Sequence, residues 1–235
     1  MRGVSTIGLK DLIEDLTSEH LVILDIDSTL LTTFQRNQAI LEAFCEALST
    51  DYPTDIAQLL KVRCQLGDYG LTTGLDRQGV TFSSDQVRHD LFEFWKRNFF
   101  SSSFLHCDQP VEGAVEFAQK LNKQNIPLMY LTARHWAPMF EGSQKSLLQL
   151  GFPLDASIPL VLKKDLSQSD AQYKSNVVKE LLEKYRKIVF IDNEPVVLQQ
   201  IHRDHPSVEL IWMDSTHSGK ADPPEMARTI VNFIL

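Results

Sequence analysis

The chain has 235 residues, more than one minimal domain needs and fewer than two full ones use, which implies one main core with a sizeable insertion. Apolar residues at 43% and charged residues at 23% fit an ordinary globular chain and exclude broad disorder. The formal net charge of −8 repels phosphate backbones and anionic headgroups, so neither a nucleic-acid partner nor a membrane surface is expected. A small phosphorylated ligand is compatible with that charge, because a metal ion and a few cations in a cleft reverse the local field. Cys45, Cys64 and Cys107 are odd in number and form no Cys-x-x-Cys pair, which favours a reducing compartment over a disulfide framework. The first twenty residues hold Lys10, Glu14, Asp15, Glu19 and His20 without an apolar run of signal-peptide length, and no run of about 18 apolar residues occurs anywhere. A cytoplasmic location is the expectation; the oligomeric state is open.

Five short runs rich in Ile, Val and Leu read as strands buried on both faces: Leu21–Asp25, Pro127–Thr132, Ile158–Leu162, Lys187–Asp192 and Val208–Trp212. Between the first and second lies a helical stretch. Residues 36–48 and 54–66 are expected to be helical, the second capped by Thr54, and a third helix capped by Ser83 or Ser84 runs to Phe99. A Gly-rich connection, Gly67 to Gly79, joins the last two. After the second strand, helices at 143–150, 171–185, 194–203 and 223–234 alternate with the remaining strands, which implies a parallel sheet with right-handed crossovers. About seventy helical residues are too many for a simple crossover. The expected architecture is therefore an α/β, Rossmann-like parallel core of residues 1–31 and 105–235 with an inserted α-helical cap, 32–104. Small polar residues near Thr32–Thr33 and Ser101–Ser103 suit its hinges.

Polar residues fall at strand ends. The first strand stops at Asp25, followed by Ile26, Asp27, Ser28 and Thr29; the second at Thr132; the fourth at Asp192, followed by Asn193 and Glu194. Ligands of open parallel sheets bind outside the carboxyl ends of the strands, so these residues meet at one crevice. Each alone reads as a helix cap; together, with Asp-x-Asp at the first, they read as a site. Clustered carboxylates need a cation between them, and oxygen ligands beside phosphate suit magnesium. One Asp can serve as a nucleophile and another, two residues on, can move protons.

These residues resemble the haloacid dehalogenase superfamily. Leu21-Val-Ile-Leu-Asp-Ile-Asp-Ser-Thr-Leu-Leu31 is similar to its first motif, Tyr130-Leu-Thr-Ala-Arg134 to its second, Lys174 to the third, and Val189-Phe-Ile-Asp192 to the fourth. The resemblance covers essentially the whole chain. It implies a Mg2+-dependent phosphatase in which Asp25 attacks phosphorus and Asp27 acts as general acid and then base. Asp25, Asp192 and the backbone carbonyl of Asp27 would hold magnesium. Thr132 and the amides after Asp25 would hold phosphoryl oxygens, and Lys174 would neutralise charge. Thr29, Ala133 and Arg134 are the candidate substrate contacts, and the substrate would be a small phosphorylated metabolite. The fourth motif departs from the pattern: its usual second acid is missing, and Asn193 or Glu194 stands in as candidate ligand. Lys163 and Lys164 also follow a strand and compete with Lys174. A phosphotransferase or mutase using Asp25, and a non-catalytic binding protein of the same fold, are the rival readings; a receiver domain expects adjacent acids and a far shorter chain.

Other signals are weaker. His202 and His205 suit a solvated helix end, and His106-Cys107-Asp108 a connection, more than metal sites. Arg63, Arg77, Arg88 and Arg97 read as surface charges of the insertion. Phe92, Phe94, Trp95, Phe99 and Phe100 read as its own core, with one or two facing the site.

Overall fold

The computed structural model describes residues 9–235. The first eight residues, which begin both the stretch searched for a leader and the expected core, lie outside the described residues. In chain order the elements are α1 (Leu9–Asp15), β1 (His20–Leu24), β2 (Leu31–Thr32), α2 (Phe34–Ala47), α3 (Pro53–Leu59), α4 (Leu71–Arg77), α5 (Asp85–Phe99), a 3₁₀ turn (Leu105–Cys107) and β3 (Gln109–Pro110). There follow α6 (Ala114–Lys123), β4 (Leu128–His135), α7 (Trp136–Leu150), β5 (Leu160–Lys163), α8 (Asp170–Leu181), β6 (Lys187–Asp192), α9 (Pro195–Asp204), β7 (Glu209–Met213) and β8 (Arg228–Ile230).

Six strands form one parallel sheet in the order β5-β4-β1-β6-β7-β8. Side chains alternate across a strand, and β1 uses both directions. Val22 and Leu24 join Leu128, Tyr130, Val189 and Ile191 under α1, α6 and α7, while Leu21 and Ile23 join Met129, Leu131, Ile188 and Phe190 under α8 and α9. Burial on both faces is why these strands read as continuous apolar runs. Register then positions the site. Leu24 lies opposite Ile191 and Tyr130, so the chain beyond β1 emerges beside the ends of β6 and β4.

Helices α2 to α5 enclose a separate apolar cluster that includes Leu41, Phe44, Ile56, Leu59, Leu75 and Leu91. The chain enters and leaves this segment through β2 and β3, which pair antiparallel at Leu31–Pro110 and Thr32–Gln109. The return path is fastened to the core: the Ser102 hydroxyl donates to the Pro138 carbonyl (2.8 Å) and accepts from Gly142 N (3.2 Å).

Several expectations need correction. Residues 223–234 form no helix; Arg228–Ile230 add an edge strand to β7. The three-residue spacing of Ile230 and Phe233 mimics a helix face, but the Pro223-Pro224 pair removes two backbone donors and β-branched Thr229, Ile230 and Val231 favour a strand. The Gly-rich connection hides α4. Tyr52, not Thr54, caps α3, with Pro53 in the first turn where its missing N–H costs nothing, and that helix stops at Leu59. Ser84 caps α5, accepting from Val87 N. Helix α7 begins at Trp136, well before residue 143, and α8 ends at Leu181.

Gly113 starts α6 with φ +78, and a Cβ there would meet the Phe233 backbone at 2.5 Å. Gly79 shares the left-handed conformation, φ +65, in open space. Gly113→Ala is therefore expected to destabilise the fold by more than the roughly 1 kcal/mol that conformation alone costs at Gly79→Ala. Denaturant melts of the two variants measure the difference; equal losses would show that the Phe233 backbone yields.

Candidate active site

Asp25 is the residue after β1, and Asp192 the last residue of β6. Both are buried at the carboxyl edge of the sheet. Lys174, on the first turns of α8, projects between them. Its Nζ donates to Asp25 Oδ1 (2.6 Å) and to Asp192 Oδ2 (2.7 Å). The other oxygen of Asp25 accepts from Thr29 Oγ1 (3.0 Å), which in turn accepts from Asn193 N (3.1 Å). The other oxygen of Asp192 accepts from Glu194 N (2.8 Å). Thr29 is placed by a tight turn after β1 in which Ser28 adopts φ 60, a region L residues rarely occupy. Such strain is found where function fixes a loop.

A second charged group adjoins the first. Asp27 is clamped by two guanidiniums: Arg134 donates from Nε (2.7 Å) and Nη2 (2.8 Å), and Arg36 from Nη2 (2.6 Å). Both arginines also hold Asp108, Arg134 at 2.8 Å and Arg36 through Nε at 2.8 Å and a further Nη2 contact. Arg134 Nη1 donates to Ser143 Oγ (3.0 Å), and Arg36 lies over the Phe99 ring, 4.5 Å from its centroid. Arg36, Asp108 and Arg134 are buried, whereas the Asp27 carboxylate is 31% exposed. Sequence reasoning missed Arg36 and assigned Asp108 to a connection.

A cavity of about 440 Å³ adjoins both groups, though Thr29, Arg36 and Asp108 are buried behind its wall. Asp25, Asp27, Thr132, Ala133, Arg134, Lys174 and Asp192 line it from the sheet side. Asn193 and Glu194 also reach it, but their polar atoms are engaged: Asn193 Nδ2 donates to the Thr216 carbonyl (2.6 Å), and the Glu194 carboxylate accepts from Ser218 N (2.9 Å) and Oγ (2.7 Å). The rival lysines lie elsewhere. Lys163 Nζ serves the Gln168 carbonyl (2.5 Å) and Asp170 (2.8 Å), and Lys164 sits over the Trp136 ring. Among the described residues no three His, Cys, Asp or Glu side chains gather as metal ligands, at His202, His205 or His106 included. The nearest approach to a ligand set is the Asp25–Asp192 carboxylate pair. Arg77 pairs with Asp68, Arg63 with two carbonyls, and Arg88 and Arg97 cover Phe92 and Phe94.

The electrostatics of the two groups differ. Burial is the largest influence on Asp25 and raises its pKa; Lys174 opposes it, Asp192 and Asp27 reinforce it, and the result is about 7. Asp192 is raised for the same first reason, again against Lys174. Burial also acts to raise Asp27, but Arg134 and then Arg36 outweigh it and hold the carboxyl well below the usual range. Two buried carboxylates sharing one ammonium are short of one positive charge, whereas two carboxylates and two guanidiniums balance. The first pair, with its hard oxygens, fits a divalent cation such as magnesium.

No known family model matches the chain, and no curated protein matches it. Solved structures do. A HAD-superfamily hydrolase from Ehrlichia chaffeensis aligns at TM-score 0.53 and 12% identity, covering 93% of each chain. CbbY from Rhodobacter sphaeroides, in complex with phosphate, aligns at TM-score 0.54 and 14% identity over 92% of this chain and 95% of that one. A predicted phosphoglycolate phosphatase from Haemophilus somnus aligns at TM-score 0.53 and 15% identity over 91% and 94%. The chain thus has the haloacid dehalogenase fold. Among the described residues no helix is long and apolar enough to cross a membrane.

A carboxyl whose folded pKa is raised binds more protons folded than unfolded between about 4 and 7, so its contribution is complete below that window and is lost as pH rises through it. The stability of the wild type minus that of Asp25→Asn, measured by denaturant melts of metal-free protein, should therefore fall from pH 4 to pH 7 and level off above. A difference that stays flat across the window would show an ordinary Asp25.

Proposed function

We propose that the chain is a magnesium-dependent phosphomonoester hydrolase that works through an aspartyl-phosphate on Asp25. The observation that carries this reading is Asp25 at the end of β1, bound by Lys174 and lining one cavity with Thr132 and Asp192. An Asp25 oxygen attacks phosphorus, the bond to the leaving oxygen breaks, and the phosphoryl group rests on the carboxylate. Water then attacks phosphorus, inorganic phosphate departs and Asp25 is regenerated. Lys174 offsets negative charge on Asp25 and on the phosphoryl oxygens, and the Thr132 hydroxyl orients one of them. Thr29 keeps the Asp25 carboxylate in place, and Ala133 and Arg134 form the wall beside the phosphate. Asp25, Asp192 and the Asp27 carbonyl would hold magnesium, which supplies the missing positive charge, with Asn193 and Glu194 supporting the loop behind it. Asp27, held as a carboxylate, is ready as base for the hydrolytic water; to protonate a leaving group it must first exchange a guanidinium for a proton.

Residues 32–104 act as a cap on a core of 1–31 and 105–235, supported by their separate apolar cluster. The three free cysteines favour a reducing, cytoplasmic setting. A phosphate-binding protein without turnover is the second reading, favoured by the guanidinium contacts to both oxygens of Asp27.

Release of phosphate from an aryl phosphate, abolished by chelation and restored by magnesium, separates hydrolase from binding protein. Asp25→Asn should abolish it in a folded protein, and mass spectrometry of the trapped wild type should find the phosphoryl group on Asp25. Asp27→Asn should lose roughly 10²–10⁴-fold, more on alkyl than on aryl phosphates, because a poor leaving group needs the proton more. Full activity in Asp25→Asn would refute the mechanism, and equal losses on both ester types would remove Asp27 from proton transfer.

A further inference from the structure

The cavity has two unlike walls. The sheet side carries the charged groups. The opposite side is built by the end of α5 and the loop before α4, and it is aromatic. Trp95 and Phe99 stack with centroids 4.9 Å apart and planes at 29°. Phe100 meets both edge-on, at 5.9 and 5.2 Å. Tyr69 completes the wall, and Met139 faces it from α7. Trp95 is anchored by its Nε1 donating to Asn37 Oδ1 (2.8 Å), and Phe99 by Arg36. Phe100 is 48% exposed and Tyr69 50%, so aromatic surface remains unburied at the opening.

The charge count points the same way. Five carboxylates line the cavity against two cations, Arg134 and Lys174, and both cations already make two carboxylate contacts each. The insertion contributes no lysine, arginine or histidine to the lining. Its polar side-chain groups there are the hydroxyls of Thr33, Tyr69, Thr72 and Thr73 and the Trp95 indole N–H, which Asn37 already engages. One phosphoryl group can share Lys174. A second phosphate or a carboxylate on the same substrate would lie against rings, with no cation from the insertion in the lining to meet it.

We infer that the substrate is a phosphomonoester with an uncharged aromatic leaving group, and not a bisphosphate or a phosphorylated acid; this rests on the phosphatase reading above. A flat ring entering between the Phe100 edge and Tyr69 buries their exposed surface and its own, and gains the edge-to-face contacts that aromatic pairs favour. A cavity of about 440 Å³ lies within the ~300–1,000 Å³ usual for small ligands and holds a phosphate with one or two rings.

Steady-state kinetics of the full chain with magnesium test this. Benzyl phosphate and ethyl phosphate both release an alcohol, so their comparison isolates the ring from leaving-group chemistry; phosphoglycolate and a sugar bisphosphate supply the second anion. The expected kcat/KM for benzyl phosphate exceeds that for ethyl phosphate by about a hundredfold, the effect of burying a ring and its partner surface. Phosphoglycolate and the bisphosphate fall at or below ethyl phosphate. Phe100→Ala should lower the benzyl-to-ethyl ratio about tenfold, mainly through KM. Phe100→Lys, which places a cation in the aromatic wall, should raise the ratio of phosphoglycolate to benzyl phosphate. Ethyl phosphate, phosphoglycolate or bisphosphate turned over as well as benzyl phosphate overturns the substrate class and leaves the phosphatase standing. No phosphate released from any ester overturns both.

Discussion

Four aspartates converge at the carboxyl edge of the sheet, Asp25, Asp27, Asp108 and Asp192, and three cations hold them there. An unpaired charge buried in this way costs several kcal/mol, so none of the seven tolerates the loss of its partners easily. They come from places far apart in the chain: the turn after β1, the start of α2, the connection before β3, the end of β4, the start of α8 and the end of β6. Packing of the two sheet faces brings those places near one another; charge pairing sets their final positions. The turn at Ser28, with its positive φ, is the backbone cost of delivering both Asp25 and Asp27 to this edge.

Within the cluster, the two groups are suited to different work. The Arg36–Arg134 group is balanced and geometrically over-determined, since each guanidinium is forked across two carboxylates. A group of that kind holds shape. The Lys174 group is one positive charge short and lines the cavity, and burial, against the pull of Lys174, raises the pKa of its aspartates. The proposed reaction, which brings in a cation and an anionic phosphoryl group, calls for such a deficit. The neighbouring guanidiniums anchor Asp27, whose carboxylate still adds to the rise at Asp25 after burial and Asp192.

The sequence carried the core and the Lys174 group clearly. Strands β1, β4 and β6 are buried on both faces and so stand out as apolar runs, and the polar residues that end them, each explicable alone as a helix cap, read as a site when taken together. The sequence favours Lys174 over Lys163, which ends β5, and in the structure Lys174 Nζ meets Asp25 and Asp192 whereas Lys163 Nζ meets Gln168 and Asp170. Arg36 was invisible for a different reason. A lone arginine two residues into an amphipathic helix reads as solvated surface, and the partners that bury it, Asp27 and Asp108, are 9 and 72 residues away. Helix α4 was obscured by the glycines around it, and β8 by an apolar spacing of three that only its pairing with β7 resolves. For Arg36 the missing information was a long-range contact, which no local pattern encodes.

The insertion's attachment follows from the same contacts. Small polar residues at Thr32–Thr33 and Ser101–Ser103 suggest loose hinges. Yet the first turn of α2 is fastened through Arg36 to Asp27 and Asp108, and the segment after α5 through Ser102 to α7. Arg36 also accepts the Phe99 ring beneath its guanidinium and donates to the Phe99 carbonyl (3.4 Å). The side chain that clamps Asp27 therefore also seats the residue on which Trp95 stacks. Position of the aromatic wall and position of the acid are set by one guanidinium, so a change that shifts either is transmitted to the other. In the proposed reaction, selection of the leaving group and handling of its proton would in this way share a single buried side chain.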